Sequence, residues 1–288
     1  MQFASVRGIE LHFDVVGTEG PWVTYCGGGR SDLEAVRPLA SMVAEAGYRV
    51  VIFDRRNCGA SDFSIDDEMD EQTSWAEDTH ELLTQLGALP VLAGGASAGC
   101  RLALMMAIRH PSSVSGLFVS RPSGGEFAAT YLAASNYDPW IAAARTGGME
   151  AVCELPSFVE LIARNPSNRE RLLTIDPTRF IATVDGWRRS FTENADLTLM
   201  GVSDSELSLI KVPVCIVAGQ DELHPRDRSE RFHRLVSNAE IHYLHSERDV
   251  ERIEEAGYQG AYATIQETPE ELAGIFIAFL NRLTASAQ

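Results

Sequence analysis

"AGGASAGCRLALMMAIRHP", residues 93–111, sets one serine inside a run of small residues. Ser97 stands in Gly95-Ala96-Ser97-Ala98-Gly99, with the apolar "PVLAGG" before it and the helix-patterned "CRLALMMAIR" after it. A strand that turns at once into a helix needs small residues at the turn, because the two backbones approach closely there. The helix start also aims unpaired N–H groups and a positive dipole end at the same place. A serine so placed has an exposed hydroxyl with donors beside it, which suits a nucleophile. The plainer alternative is a glycine-rich turn that only packs strand on helix.

Outward from that turn, strands and helices alternate. Gln2–Val6 and Ile9–Val16 read as a hairpin about Arg7-Gly8, and Trp22–Cys26 as a strand before Gly27-Gly28-Gly29. "YRVVIFD" (48–54), "VSGLFVS" (114–120) and "VPVCIVAG" (212–219) are continuous apolar runs of the kind covered on both faces, and "AEIHYL" (239–244) follows as a further strand. Ser31 or Asp32 can cap a helix bearing Val36, Leu39, Ala40 and Val43. Ser74 and Glu77 form a capping box before Leu82, Leu83 and Leu86, and Thr268 and Glu271 form another before the last helix. Between Pro122 and about Ile210 the pattern is helical with no strong strand. The expectation is a mostly parallel α/β sheet with helices on both faces, built from residues 1–121 and 211–288, with 122–210 as an inserted helical cap.

The chain has 288 residues, with 24 Lys and Arg against 41 Asp and Glu, a net charge of −17. That balance argues against nucleic acid and against an anionic membrane surface as partners. Five cysteines without C-x-x-C spacing read as reduced thiols, and no apolar run reaches the roughly 20 residues of a membrane span. A cytoplasmic protein is expected. No H-E-x-x-H or paired-cysteine spacing points to a metal, and no G-x-G-x-x-G after a strand points to a nucleotide cofactor. The expected partner is a small-molecule substrate, with a homodimer left open.

Three stretches together resemble the α/β-hydrolase superfamily, in particular its capped esterases, lactonases and carbon–carbon bond hydrolases. "GASAG" (95–99) looks like the nucleophile elbow, "FDRRNCGASD" (53–62) like the branch's strand-plus-loop signature, and "VAGQDELHP" (217–225) like the strand end that carries the triad acid. The resemblance implies an α/β-hydrolase fold with an eight-stranded sheet, Ser97 as nucleophile and Asp221 as acid. The residues agree on Asp221, since a carboxylate after an apolar strand sits at the edge where open α/β folds place their sites. The oxyanion hole would use the N–H of Ala98, after the nucleophile, and a second donor from the glycine loop, with Gly28 the first choice.

The base is less direct. The resemblance puts the triad histidine between the last strand and the last helix, yet there Gly260 is followed by Ala261, and Asp249 fills the other register. His245, just past the last strand, is the first candidate. His224, three residues after Asp221, is the second, and a serine without a paired histidine is the third. Ser97, Asp221 and His245 with Gly28 and Ala98 therefore describe a cofactor-free serine hydrolase acting on a small ester, lactone or β-diketone. Its rival is a hydrolase fold that no longer hydrolyses: a ligand-binding or receptor-like protein, or a cofactor-free lyase or oxygenase. Trp140, Phe158, Phe180, Trp187 and Phe191 could line a pocket or fill the cap's interior. Arg188 and Arg189 could meet a substrate carboxylate or lie on an exposed face.

Overall fold

The computed structural model describes residues 1–193, 195–244 and 267–285. Among them, one eight-stranded sheet runs in the order β1-β2-β4-β3-β5-β6-β7-β8. Its strands are β1 (Gln2–Val6), β2 (Ile9–Val16), β3 (Trp22–Cys26), β4 (Arg49–Phe53), β5 (Val91–Ala96), β6 (Val114–Ser120), β7 (Val214–Val217) and β8 (Ala239–His242). The β1–β2 and β2–β4 pairs are antiparallel and the remaining pairs parallel. Every residue of β5 and β7 is buried, whereas β2 near the sheet's edge alternates buried with more exposed positions.

The helices on the sheet are α1 (Arg37–Glu45), α2 (Glu71–Gln85), α3 (Ala98–Arg109), α9 (Arg226–Leu235) and α10 (Pro269–Ala285). Strand period 2 divides the apolar residues of β4 between two cores. Val51 and Phe53 pack with Trp75, Leu82 and Leu83 of α2 and with Leu102 and Met106 of α3. Val50 and Ile52 pack with Leu39 and Val43 of α1 and with Phe276 and Leu280 of α10.

Helix α2 starts earlier than the Ser74–Glu77 pattern suggests. Asp70 caps it, accepting the N–H groups of Gln72 at 3.0 Å and Thr73 at 3.1 Å. Ser74 lies inside the helix, and Glu77 pairs instead with Arg109 and His110. The Thr268–Glu271 box does form, with Thr268 N–H on Glu271 Oε2 at 2.9 Å and Glu271 N–H on Thr268 Oγ1 at 3.2 Å.

Between β6 and β7 lie α4 (Glu126–Cys153, bent at Gly148), α5 (Pro156–Arg164), α6 (Ser167–Leu173), α7 (Pro177–Thr192) and α8 (Asp204–Leu209). Trp140, Phe158, Phe180, Trp187 and Phe191 are buried in a cluster of this segment's own, which Phe63 enters from the loop after β4. Further on, Leu199, Val202, Leu207 and Ile210 already pack with the cluster beneath the sheet. The loop after β4 is wrapped round Asp54. Its carboxylate accepts the N–H of Leu33 at 2.6 Å and of Ala60 at 2.7 Å, and meets His12 Nδ1 at 2.7 Å.

The β5–α3 turn tolerates no added methyl group. A Cβ on Gly99 would stand 2.1 Å from the Cys26 carbonyl oxygen, and one on Gly95 would stand 2.3 Å from the Gly99 carbonyl carbon. Both neighbours are backbone and cannot rotate away. Gly99→Ala is expected to destabilise by about 2 kcal/mol or more. Gly274→Ala, in open space on α10, should instead stabilise by up to about 1 kcal/mol. Urea unfolding of the two variants beside wild type checks both signs.

Candidate active site

Ser97 is the N-cap residue of α3 and has φ 51° and ψ −109°, in the left-handed half of the map that non-glycine residues seldom adopt. Such a conformation costs on the order of 1–3 kcal/mol and persists only where the surroundings impose it. Here they do: Ser97 N–H donates to the Ser120 carbonyl of β6 at 3.1 Å, and its own carbonyl accepts from Cys100 N–H at 3.0 Å. An N-cap serine ordinarily turns its hydroxyl onto the helix's first N–H groups. Ser97 makes no such bond. Its Oγ lies 2.9 Å from His224 Nε2 instead.

His224 is 3% exposed, and its Nδ1 lies 2.9 Å from both carboxylate oxygens of Asp221. Asp221 Oδ1 also accepts the backbone N–H groups of Leu223 and His224, each at 2.9 Å. One turn after β7 thus carries acid and imidazole together. With the carboxylate on Nδ1, the ring carries its proton there and presents the lone pair of Nε2 to Ser97. Burial raises the Asp221 carboxyl, but its hydrogen bonds and its attraction to His224 outweigh that and hold it below the usual carboxylate range. Gly219 makes the turn possible, because a Cβ there would stand 2.3 Å from the His224 carbonyl oxygen and 2.4 Å from its Cβ.

Of the residues expected from sequence, Ser97, Asp221, Gly28 and Ala98 come together, and the imidazole on Ser97 is that of His224. His245 lies outside the described residues. A Cβ on Gly28 would be 3.2 Å from Ser97 Cβ and 3.8 Å from its Oγ, so this loop passes directly beside the serine. The loop is tied down by Ser31, whose N–H and hydroxyl reach the Gly28 carbonyl at 3.1 and 2.8 Å. Arg55 Nη2 lies 2.6 Å from the Gly29 carbonyl. Ala98 opens α3, where the first N–H groups lack partners within the helix. Arg188 and Arg189 pair with Asp185 on an accessible face of α7.

A cavity of about 490 Å³ lies over the serine, lined in part by Gly28, Ser97, Arg121, Leu223, His224 and Glu267. Sequence reading missed several of the charged groups near it. Arg30 grips Glu71 with both nitrogens, at 2.9 and 2.7 Å, and Glu71 also accepts from Asn57 at 3.0 Å and from the Tyr137 hydroxyl at 2.9 Å. The only signal for Arg30 was its position directly after three glycines. Cys100 is fully buried with its Sγ 2.9 Å from the Ser120 carbonyl, and burial pushes its thiol well above the usual range, so it is no rival nucleophile.

Residues 21–150 match a family model described as the alpha/beta hydrolase fold. That match covers less than half of the chain, and the fold described above is an α/β-hydrolase fold. The chain is 30% identical over 117 residues to the uncharacterized hydrolase YraK of Bacillus subtilis (strain 168), a match covering 41% of this chain and 42% of that protein. The chain therefore spans less than half the length of that curated relative. Among solved structures, a thermophilic esterase from Thermogutta terrifontis superposes with TM-score 0.63 at 19% identity, covering 98% of this chain and 99% of that one. A meta-cleavage product hydrolase from Pseudomonas fluorescens IP01 does so with TM-score 0.63 at 18% identity, covering 100% and 98%. At that identity the structures speak for the fold. No helix among the described residues is long and apolar enough to cross a membrane.

Glu267 has a side chain only 4% exposed and lies 2.9 Å from Arg121. Burial pushes its carboxyl up from an ordinary 4.5 to about 7, against the pull of Arg121. The folded protein then holds a proton that the unfolded chain releases, so this group's contribution is full below pH 4.5 and is lost as pH rises through 7. The melting temperature should fall between pH 5 and pH 8 more steeply in wild type than in Glu267→Gln. Parallel slopes in calorimetry would contradict the assignment.

Proposed function

We propose that the protein hydrolyses small carbonyl substrates, such as esters, lactones or β-diketones, through Ser97, with His224 as base and Asp221 orienting it. One observation carries this reading: a serine at a helix N-cap leaves the helix uncapped and meets a buried imidazole held by a carboxylate. A packing turn gains nothing from that arrangement, since capping would contribute about 1 kcal/mol. The rival reading of a binding-only fold gives no reason for a buried Asp221–His224 pair directed at the Ser97 hydroxyl.

In this mechanism His224 Nε2 takes the Ser97 proton as Oγ attacks the substrate carbonyl carbon, forming a tetrahedral intermediate. The negative oxygen faces the N–H groups of Ala98 and Gly28, each donor stabilising it by about 3 kcal/mol. Collapse breaks the bond to the leaving group, which takes its proton from His224, and leaves an acyl ester on Ser97. Water, deprotonated by the same nitrogen, then releases the acid and restores the serine. Asp221 keeps the imidazole in the required tautomer and stabilises its cation without accepting the proton. The helical segment between β6 and β7 serves as a cap over the cavity, and no cofactor enters any step.

A fluorophosphonate probe should label wild type on Ser97, read by intact mass. Labelling should vanish in Ser97→Ala and fall steeply in His224→Ala. Hydrolysis of a p-nitrophenyl ester should drop on the order of 10⁴–10⁶-fold in either variant. Unlabelled wild type, or a His224→Ala protein that turns over normally, would refute the mechanism.

A further inference from the structure

Arg101 follows Ser97 by four residues, which is one turn of α3. It is 4% exposed and its Nε is buried without a protein hydrogen-bond partner. Among the described residues, no carboxylate stands within ion-pair distance of its guanidinium. A buried cation is normally paired, because leaving water costs several kcal/mol. Burial draws Arg101 down to about 10, so it remains charged at neutral pH.

The surroundings fit an anion. Arg101 and Ser97 line one small cavity of about 30 Å³, room for about two water-sized groups and so for the two oxygens of a carboxylate. Ser123 Oγ, on the same wall, is also buried without a protein partner, and its hydroxyl can donate. The carboxylate there, Glu71, is neutralised by Arg30 and saturated by Asn57 and Tyr137. Asp70, which lines the adjoining 110 Å³ cavity with Arg101, is engaged in capping α2. Arg30, Arg101 and Glu71 leave the wall one positive charge in excess. The Phe191 ring lies 4.6 Å from the Arg101 guanidinium carbon and covers one face, while the N–H groups project in the plane and stay available.

We propose that Arg101 binds a carboxylate of the substrate beside the bond that Ser97 attacks, so that the natural substrate is a carboxylate-bearing ester, lactone or β-diketone. This names the substrate class of the hydrolytic site and rests on that reading. A carboxylate held by an in-plane pair of guanidinium N–H groups one helical turn from Ser97 leaves the reacting carbonyl a chain of a few atoms away. That selects short dicarboxylic acid derivatives. The protein's overall charge of −17 repels such a substrate at long range, but salt screens that field within about 10 Å, while the buried cation acts at contact.

The test is titration calorimetry of monomethyl succinate, with dimethyl succinate as the neutral control, into Ser97→Ala and into Ser97→Ala carrying Arg101→Gln or Arg101→Lys. The monoanion should bind Ser97→Ala at least tenfold tighter than the diester, lose that preference with Arg101→Gln, and recover part of it with Arg101→Lys. Equal binding of the two ligands to Ser97→Ala, or a preference unchanged by Arg101→Gln, overturns the proposal. Because Arg101→Gln removes an unpaired buried charge, its melting temperature should equal or exceed that of its parent. A lower one counts for a structural role and against the proposal. Neither readout needs turnover, so failure of Ser97 to react leaves this result standing, and failure here leaves the hydrolytic mechanism standing.

Discussion

The backbone contact of Gly99 with the Cys26 carbonyl is the constraint on which the rest of the site depends. It presses the start of α3 onto the end of β3, and with Gly95 against Gly99 it forces the chain to reverse within one residue. That residue is Ser97, and its positive φ follows from the reversal. The same contact brings Gly28, two residues past Cys26, against the serine side chain. Ser97 and the glycine loop are therefore positioned by one piece of packing, with no flexible side chain between them. Rigid elements hold reacting groups more accurately than loops do.

His224 is positioned by different means. Asp221 and His224 share a single turn after β7, so the geometry between acid and imidazole is fixed locally by two backbone N–H groups on one carboxylate oxygen. Only the distance from that turn to Ser97 depends on the sheet, through the parallel pairing of β6 with β7 and of β5 with β6. Both groups sit on one loop, ahead of the connection between the last strand and the last helix. Glu267, at the end of that connection, faces the same cavity with a carboxyl of raised pKa.

The fold was legible because its signals are local. Buried parallel strands read as unbroken apolar runs, the elbow's small residues had one structural use, and the Thr268–Glu271 cap formed as written. The start of α2 was misplaced because two capping patterns, Asp70 and Ser74-x-x-Glu77, lie four residues apart, and only tertiary pairing of Glu77 with Arg109 and His110 decides between them. His224 ranked second for a related reason. Its role depends on a reverse turn that Gly219 permits, and a glycine at a strand end has many other uses. Arg101 and Glu71 could not be found at all, since nothing in a sequence tells a buried charged side chain from the far commoner exposed one.

Three arginines share a physical solution. Arg30 lies 4.4 Å from the Trp140 ring centre, Arg55 4.3 Å from that of Trp75, and Arg101 4.6 Å from that of Phe191. A desolvated guanidinium gains about 2 kcal/mol from an aromatic face, which offsets part of the hydration it loses. Stacking uses the face of the cation and leaves its edge, where all five N–H groups lie. The edges then differ in what they meet. Arg30 meets Glu71 through its two Nη atoms and Arg55 supports the Gly29 carbonyl through Nη2, while the Nε atoms of both are buried without a protein partner, as is Nη1 of Arg55. The edge of Arg101 meets no carboxylate among the described residues, although an aliphatic side chain of similar volume would pack there without stranding a charge. A cation kept under those terms lowers stability, and such costs concentrate where a protein binds or transforms something else.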